Sequence, residues 1–138
     1  MNYLIDTCVF SEFKKKRPES RVIEWLDEQY NESLFLSILT IGEIEKGIRR
    51  LPRSARQKDL EAFLDDIIFR FDRRIINIDL PVVKSWGTLT AKLETKGKPM
   101  PIVDSFIAAT ALSYDLALVT RNEADFAGVG LDILNIWK

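Results

Sequence analysis

Histidine is missing from all 138 residues, and that absence removes more chemistry than any residue present suggests. Ser-His-Asp and Cys-His triads, imidazole acid–base cleavage of RNA and His-ligated zinc are excluded together. Any hydrolysis by this chain has to run on carboxylates, Ser/Thr, Lys or a metal with oxygen ligands. A single cysteine, Cys8, excludes an internal disulfide framework and fits a reducing cytoplasm. Long apolar runs are also lacking. Asp6 interrupts the N-terminal one, so neither a membrane span nor the apolar core of a signal peptide is expected. Charge of one sign is absent too: a net charge of −1 exerts no overall pull toward nucleic acid. The basic residues do cluster locally, at Lys14–Arg17, at Arg49, Arg50, Arg53, Arg56 and Lys58, and at Arg70, Arg73 and Arg74. A phosphate footprint requires such clusters to share a face.

The chain is 46% hydrophobic and 30% charged, an ordinary globular composition. Its length is that of one domain, 1–138, able to bury a real core. Repeats, low-complexity tracts and interdomain linkers are absent. Short β-rich runs alternate with helical patterns. Tyr3–Ile5 reads as a first strand ending at Asp6. Ser20 reads as the N-cap of a helix carrying Val22, Ile23, Leu26 and Tyr30. Ser33–Leu36 is a second strand. Ile41, Ile44, Ile48 and Leu51 form one apolar helical stripe, stopped by Pro52. Ser54 to Gln57 is a capping-box pattern opening the next helix, whose stripe is Leu60, Phe63, Leu64, Ile67 and Phe71. Ile75–Ile78 is a third strand. Pro81 opens a helix ending near Gly97, and Pro101 starts another that runs to about Tyr114. Leu116–Val119 and Leu131–Leu134 complete the strands. Strands separated by helices imply right-handed crossovers and a parallel sheet. The expected fold class is therefore α/β: a five-stranded parallel sheet of order 3-2-1-4-5, flanked by helices. That order puts the topological switch between strands one and four, where Asp6 and Thr120 with Asn122 fall.

Four carboxylates, Asp6, Glu43, Asp104 and Asp125, sit at or near element ends although they lie far apart in sequence. Two carboxylates about 5 Å apart repel by about 3 kcal/mol at an effective dielectric of about 20. A cluster of acids therefore needs neutralising, most simply by a divalent cation with hard oxygen ligands. Each residue has a plainer explanation: Asp6 as a turn or cap, Glu43 as a solvated helix-face acid, Asp125 as the cap of a short helix. Asp104 resists one. It shares a stripe with Ile107, Ala108 and Ala111, which points an acid along an apolar face, and such an acid needs partners. Gly47, one turn beyond Glu43, costs its helix about 1 kcal/mol against alanine. It admits either a ligand or a tight helix–sheet contact.

Four segments in order, Tyr3-Leu-Ile-Asp-Thr-Cys8, Ser37 to Arg50 with its Glu-x-x-x-Gly core, Asp104-Ser-Phe-Ile-Ala-Ala-Thr-Ala111, and Thr120-Arg-Asn122 with Asp125-Phe126, resemble the motifs of PIN-domain ribonucleases. Within that family the chain is similar to the VapC-type toxins of toxin–antitoxin pairs. The likeness spans nearly the whole chain. It implies that Asp6, Glu43 and Asp104 form a ligand core for Mg²⁺ or Mn²⁺, with Asp125 a fourth acid. Thr7, Thr120 and Asn122 would orient water, ligands or the scissile phosphate, and Cys8 would have no chemistry. The activity implied is metal-dependent endonucleolytic cleavage of RNA, with one or two ions and with 5′-phosphate and 3′-hydroxyl products. A cognate antitoxin covering the crevice and a homodimer are the implied partners; Trp25, Tyr30 and Trp137 are candidate contacts, although core or rim packing is their first explanation.

Three other readings compete. A phosphoacceptor receiver domain would use Asp79 after the third strand, but it lacks an acidic pair after strand one and a suitable lysine after strand five. A cysteine phosphatase on Cys8 would need arginine at position 14, which is lysine. A PIN-fold RNA- or protein-binding module without turnover would keep the acids for metal-stabilised structure.

Overall fold

A computed structural model describes residues 1–138. Its centre is a parallel sheet ordered β3-β2-β1-β4-β5, as the alternation of elements implied. The strands are β1 (Tyr3–Ile5), β2 (Leu34–Ser37), β3 (Ile75–Ile76), β4 (Ala117–Val119) and β5 (Ile133–Leu134). β1 lies between β2 and β4, with Tyr3 opposite both Leu34 and Ala117 and Ile5 opposite Val119. Leu4, Leu36, Leu118 and Val119 are fully buried. That is why the strands read as short continuous apolar runs: helices cover both faces of the sheet. Shortening Leu36 to Ala would cost about 2–5 kcal/mol through lost transfer energy and the cavity left behind.

The helices are α1 (Thr7–Phe13), α2 (Ser20–Glu28), α3 (Ile38–Arg49), α4 (Ala55–Phe71), α5 (Leu80–Thr95) and α6 (Ile102–Ser113). Short 3₁₀ turns occupy Asn31–Ser33, Asp72–Arg74 and Glu123–Phe126. Two cores result. One lies on the α1, α2, α3 and α4 side and includes Ile5, Val9, Phe10, Val22, Ile44 and Ile48. The other, on the α5 and α6 side, includes Leu4, Leu89, Ile107, Ala108 and Phe126. Helices α5 and α6 are joined by Trp86, which stacks on Phe106 with ring centroids 4.8 Å apart and donates its indole N–H to Ser105 Oγ at 2.9 Å.

Several local expectations need correction. Helix α1 was not legible: its seven residues are too few to show a clear apolar period. Ser20 is the first residue of α2 rather than its cap, and Glu19 precedes it without a side-chain capping bond. Tyr30 lies beyond that helix and is 80% exposed. Ser54 does cap α4 by accepting from Gln57 N at 3.2 Å. The Gln57 amide does not reciprocate; it donates to Ile48 O and Leu51 O, each at 3.0 Å, sealing the end of α3. The third strand stops at Ile76 because Asp79 caps α5 by accepting from Val82 N at 3.0 Å. Gly47 makes no tight contact, since a Cβ built there would meet nothing within 4 Å.

Candidate active site

The carboxyl ends of β1 and β4 adjoin at the switch point, and the backbone there is continuous: Asp6 N donates to Val119 O at 3.0 Å. Asp6 caps α1, with Oδ1 accepting from Thr7 N at 2.8 Å. Its other oxygen, Oδ2, accepts from Thr120 Oγ1 at 2.8 Å. Thr120 in turn accepts from Asn122 N at 3.1 Å, which fixes the direction in which its own proton points. Asp6 is buried, at 7% exposure. Burial raises the pKa of its carboxyl, the hydrogen bonds from Thr120 and Thr7 oppose that rise, and the charge of Asp125 adds to it.

Glu43 projects from the middle of α3 (Ile38–Arg49), not from an element end as the sequence suggested; the N-cap of that helix, Ser37, accepts from Leu39 N at 3.1 Å. Thr7 Oγ1 donates to Glu43 Oε1 at 2.7 Å. The hydroxyls of Thr7 and Thr120 thus each anchor one acid. Asp104 lies in the first turn of α6, where the helix dipole favours its charge. Its carboxyl is nevertheless pushed up to about 6, first by burial and then by the charges of Asp6, Asp125 and Glu43. All four acids therefore share one electrostatic neighbourhood. Asp125 reaches it from the 3₁₀ turn Glu123–Phe126, whose buried Phe126 anchors the segment in the core. Asn122, just before that turn, is exposed.

No basic side chain neutralises this group. The ion pairs of the chain all form elsewhere, at Glu12, Glu45, Glu61, Asp66 and Glu123. An all-oxygen, uncompensated set of this kind fits a hard divalent cation in chemistry and in charge. As placed, no three acids close on a single ion position. Asp6 is pinned by its two donors. Glu43 is held through Oε1 by Thr7, whereas half-buried Asp104 and exposed Asp125 are the two acids left to turn toward an ion.

Beside Glu43 opens a cleft of about 450 Å³, lined by Thr7, Gly42, Gly47, Lys46 and Arg50 among others. Gly42 and Gly47 leave bare helix backbone on its wall, and Lys46 and Arg50 supply positive charge next to the acids. Lys46 was overlooked in the sequence, although Glu43, Lys46, Gly47 and Arg50 stand at i, i+3, i+4 and i+7 and so share a face. Cys8 lies closer to the site than expected. Its sulfur is 3.9 Å from Asp6 Oδ2 and 3.6 Å from Thr120 Oγ1, and it accepts from Arg121 N at 3.5 Å. Burial, together with the charge of Asp6, raises the thiol pKa despite the Arg121 N–H, the opposite of what a phosphatase nucleophile needs. Asp79 is equally unsuited to phosphoacceptance. It caps α5, and the Tyr114 hydroxyl donates to its second oxygen.

The sequence pattern of the PIN domain matches residues 3–130. Over 136 residues the chain is 33% identical to VapC ribonuclease Y4jK of Sinorhizobium fredii, covering 98% of this chain and 97% of that protein. It is 32% identical over 135 residues to toxin FitB of Neisseria gonorrhoeae, covering 97% of each. The crystal structure of FitAcB from Neisseria gonorrhoeae superposes with a TM-score of 0.91 at 32% identity, covering 98% of both chains.

Proposed function

The chain belongs to the PIN-domain family, and from that premise we propose that it is a VapC-type toxin: a divalent-metal-dependent endoribonuclease held in check by a cognate antitoxin. The observation that carries this reading is the gathering of Asp6, Glu43, Asp125 and Asp104 round one point, close enough to push the Asp104 carboxyl up to about 6, while none of the chain's ion pairs forms on any of the four. A fold keeps such a group at a cost, and a bound Mg²⁺ or Mn²⁺ removes that cost. Its relatives named as a VapC ribonuclease and a toxin supply the substrate class and the biological setting.

Asp6, Glu43, Asp104 and Asp125 would hold the metal. When bound, the ion supplies Lewis-acid activation of water and neutralises charge on the scissile phosphate. The remaining work falls to the chain. Thr120 and Thr7 fix the orientation of Asp6 and Glu43 through their hydroxyls. Glu43 Oε1 is engaged by Thr7, which leaves Oε2 to ligate or to take a proton. The exposed amide of Asn122 stands ready for a phosphate oxygen. Lys46 and Arg50 hold the flanking phosphate in the cleft beside Glu43, where Gly42 and Gly47 let the backbone of the substrate approach. In-line attack by water leaves a 5′-phosphate and a 3′-hydroxyl. The setting is cytoplasmic and the working form a homodimer.

The test is a map of new 5′-phosphate RNA ends after induction of the wild type and of Asp104→Asn in growing cells. Discrete ends found with the wild type alone are expected. Identical maps from two folded proteins would leave a PIN-fold binding module without turnover.

A further inference from the structure

Two more clefts, which share no lining residue with the Glu43 cleft, run into each other beside Asp125. One, of about 400 Å³, is lined by Asp125, Lys96, Lys98 and Gly128 among others. The next, of about 600 Å³, takes up Lys96 and Gly128 again and continues past Lys92, Thr88 and Lys84. Lys84, Thr88, Lys92 and Lys96 are spaced by four residues along α5, so they form a single row that winds slowly about the helix. Each step rises about 6 Å and the whole row about 18 Å. The opposite wall is the loop at Gly128 and Gly130, both in the left-handed region at φ +78° and +82°. Added Cβ atoms there would meet nothing within 4 Å, so bare peptide faces the groove.

The lysines have no evident structural duty. All four are exposed. None forms an ion pair, since the basic partners in the chain's pairs are Lys15, Arg49, Arg70 and Lys138. Complementing the helix dipole accounts for Lys92 in the last turn of α5, but not for Lys84, which lies more than a turn inside its start. An otherwise near-neutral chain thus lays a row of free ammonium groups along one groove, and that groove ends at an acid of the candidate active site.

We infer that the Lys84–Lys92–Lys96–Lys98 row is the track for the phosphates of single-stranded RNA on the Asp125 side of the site, separate from the Lys46–Arg50 cleft. This rests on the ribonuclease reading and deepens it: substrate would be held near the acids by two separate basic walls. An extended single strand suits the geometry. Lys92 and Lys96, about 6 Å apart along the axis, would meet neighbouring phosphates, Lys84 stands about 12 Å further along beyond neutral Thr88, and the open glycine wall accepts bases without selecting among them. Binding along the row is therefore largely sequence-independent and salt-sensitive.

The test uses Asp104→Asn protein without added divalent ion, so that binding is read apart from cleavage, by anisotropy of a short fluorescein-labelled single-stranded RNA. Adding Lys92→Gln and Lys96→Gln is expected to weaken binding on the order of tenfold at about 0.1 M salt. It should also flatten the slope of log affinity against log salt by about 1.4, from about 0.7 per phosphate contact. Lys58→Gln, on the exposed face of α4, should change neither. Circular dichroism establishes that the variants are folded. An unchanged affinity and slope in the double variant would overturn the inference. So would loss of binding to polyglutamate with RNA binding intact, which would assign the row to an acidic protein partner. The ribonuclease reading fails through a different readout: no RNA cleavage by the wild type in Mg²⁺ or Mn²⁺, whatever the lysines do to binding.

Discussion

Thr120 Oγ1 donates to Asp6 Oδ2 at 2.8 Å, joining the ends of two adjacent strands across 114 residues of chain. The bond favours the ionised form of a buried carboxylate that burial would otherwise protonate. Thr120→Val keeps the shape and removes the donor. It should cost about 1–3 kcal/mol, the usual penalty for a buried acceptor left unpaired. It should also move the acid limb of the pH–rate profile to higher pH, because the Asp6 carboxyl rises further. A profile unchanged from wild type would separate Thr120 from the chemistry.

Asp104 sets a stability trend with pH. Its folded-state value of about 6 lies above the ordinary 3.8. Its contribution to stability is thus fully present below 3.8 and is lost as pH rises through about 6. Metal-free protein should melt at a lower temperature at pH 8 than at pH 5.5 on account of this group. Asp104→Asn should flatten that trend and stabilise the metal-free protein near pH 8 by about 1 kcal/mol, after allowance for solvent screening. The same substitution should abolish RNA cleavage, so stability and activity move in opposite directions.

Addition of Mg²⁺ or Mn²⁺ should raise the melting temperature of the wild type above pH 6, by an increment that grows with metal concentration. Asp104→Asn should respond weakly. EDTA should reverse the gain and stop cleavage without unfolding the protein, since both cores form independently of the acids. Differential scanning fluorimetry across a metal titration checks each part.

Glu12 gives the contrary pH trend. It is only 4% exposed, yet it accepts from Trp137 Nε1 at 2.8 Å, Glu19 N at 3.0 Å and Lys15 Nζ at 3.1 Å. These donors, Trp137 foremost, hold its carboxyl below the ordinary value of 4.5. Its stabilisation is therefore present above 4.5 and lost as pH falls through the lower folded-state value. Trp137→Phe should destabilise by about 1–3 kcal/mol by leaving a buried charge short of a donor, and it should steepen acid unfolding. Denaturant melts at pH 7 and pH 4 measure both effects.

Cys8 sits against Asp6 and Thr120 with its thiol pKa raised. Alkylation by iodoacetamide at pH 7.5 should be slower than that of a free thiol peptide and should accelerate on unfolding. Cys8→Ser should retain cleavage, which would confirm that the sulfur packs the site without taking part in it.

Much of this protein could be read from its sequence because the signals were local. Short continuous apolar runs placed β1 and β2, apolar stripes and proline or capping signals placed α3, α4, α5 and α6, and their alternation implied the sheet order. The zero-histidine composition confined any hydrolysis to carboxylates, Ser/Thr, Lys or a metal with oxygen ligands. Asp104 announced itself by breaking an apolar stripe, and the four motif segments carried the family resemblance. Helix α1 escaped because one short helix capped by Asp6 shows too few turns to display a period.

Tertiary structure alone decided what depends on distance between remote segments. The pairing of β1 with β4 brings Thr120 to Asp6, and the packing of α1 on α3 brings Thr7 to Glu43. Neither hydrogen bond has a local sequence signature. The charge that Asp6, Asp125 and Glu43 impose on Asp104 likewise exists only once the chain has folded, because electrostatic coupling falls with separation in space. The α5 lysines form no cluster in the sequence, since Lys84, Lys92 and Lys96 are separated by four to eight residues. Only the fold lines them along one groove with the glycine loop and Asp125.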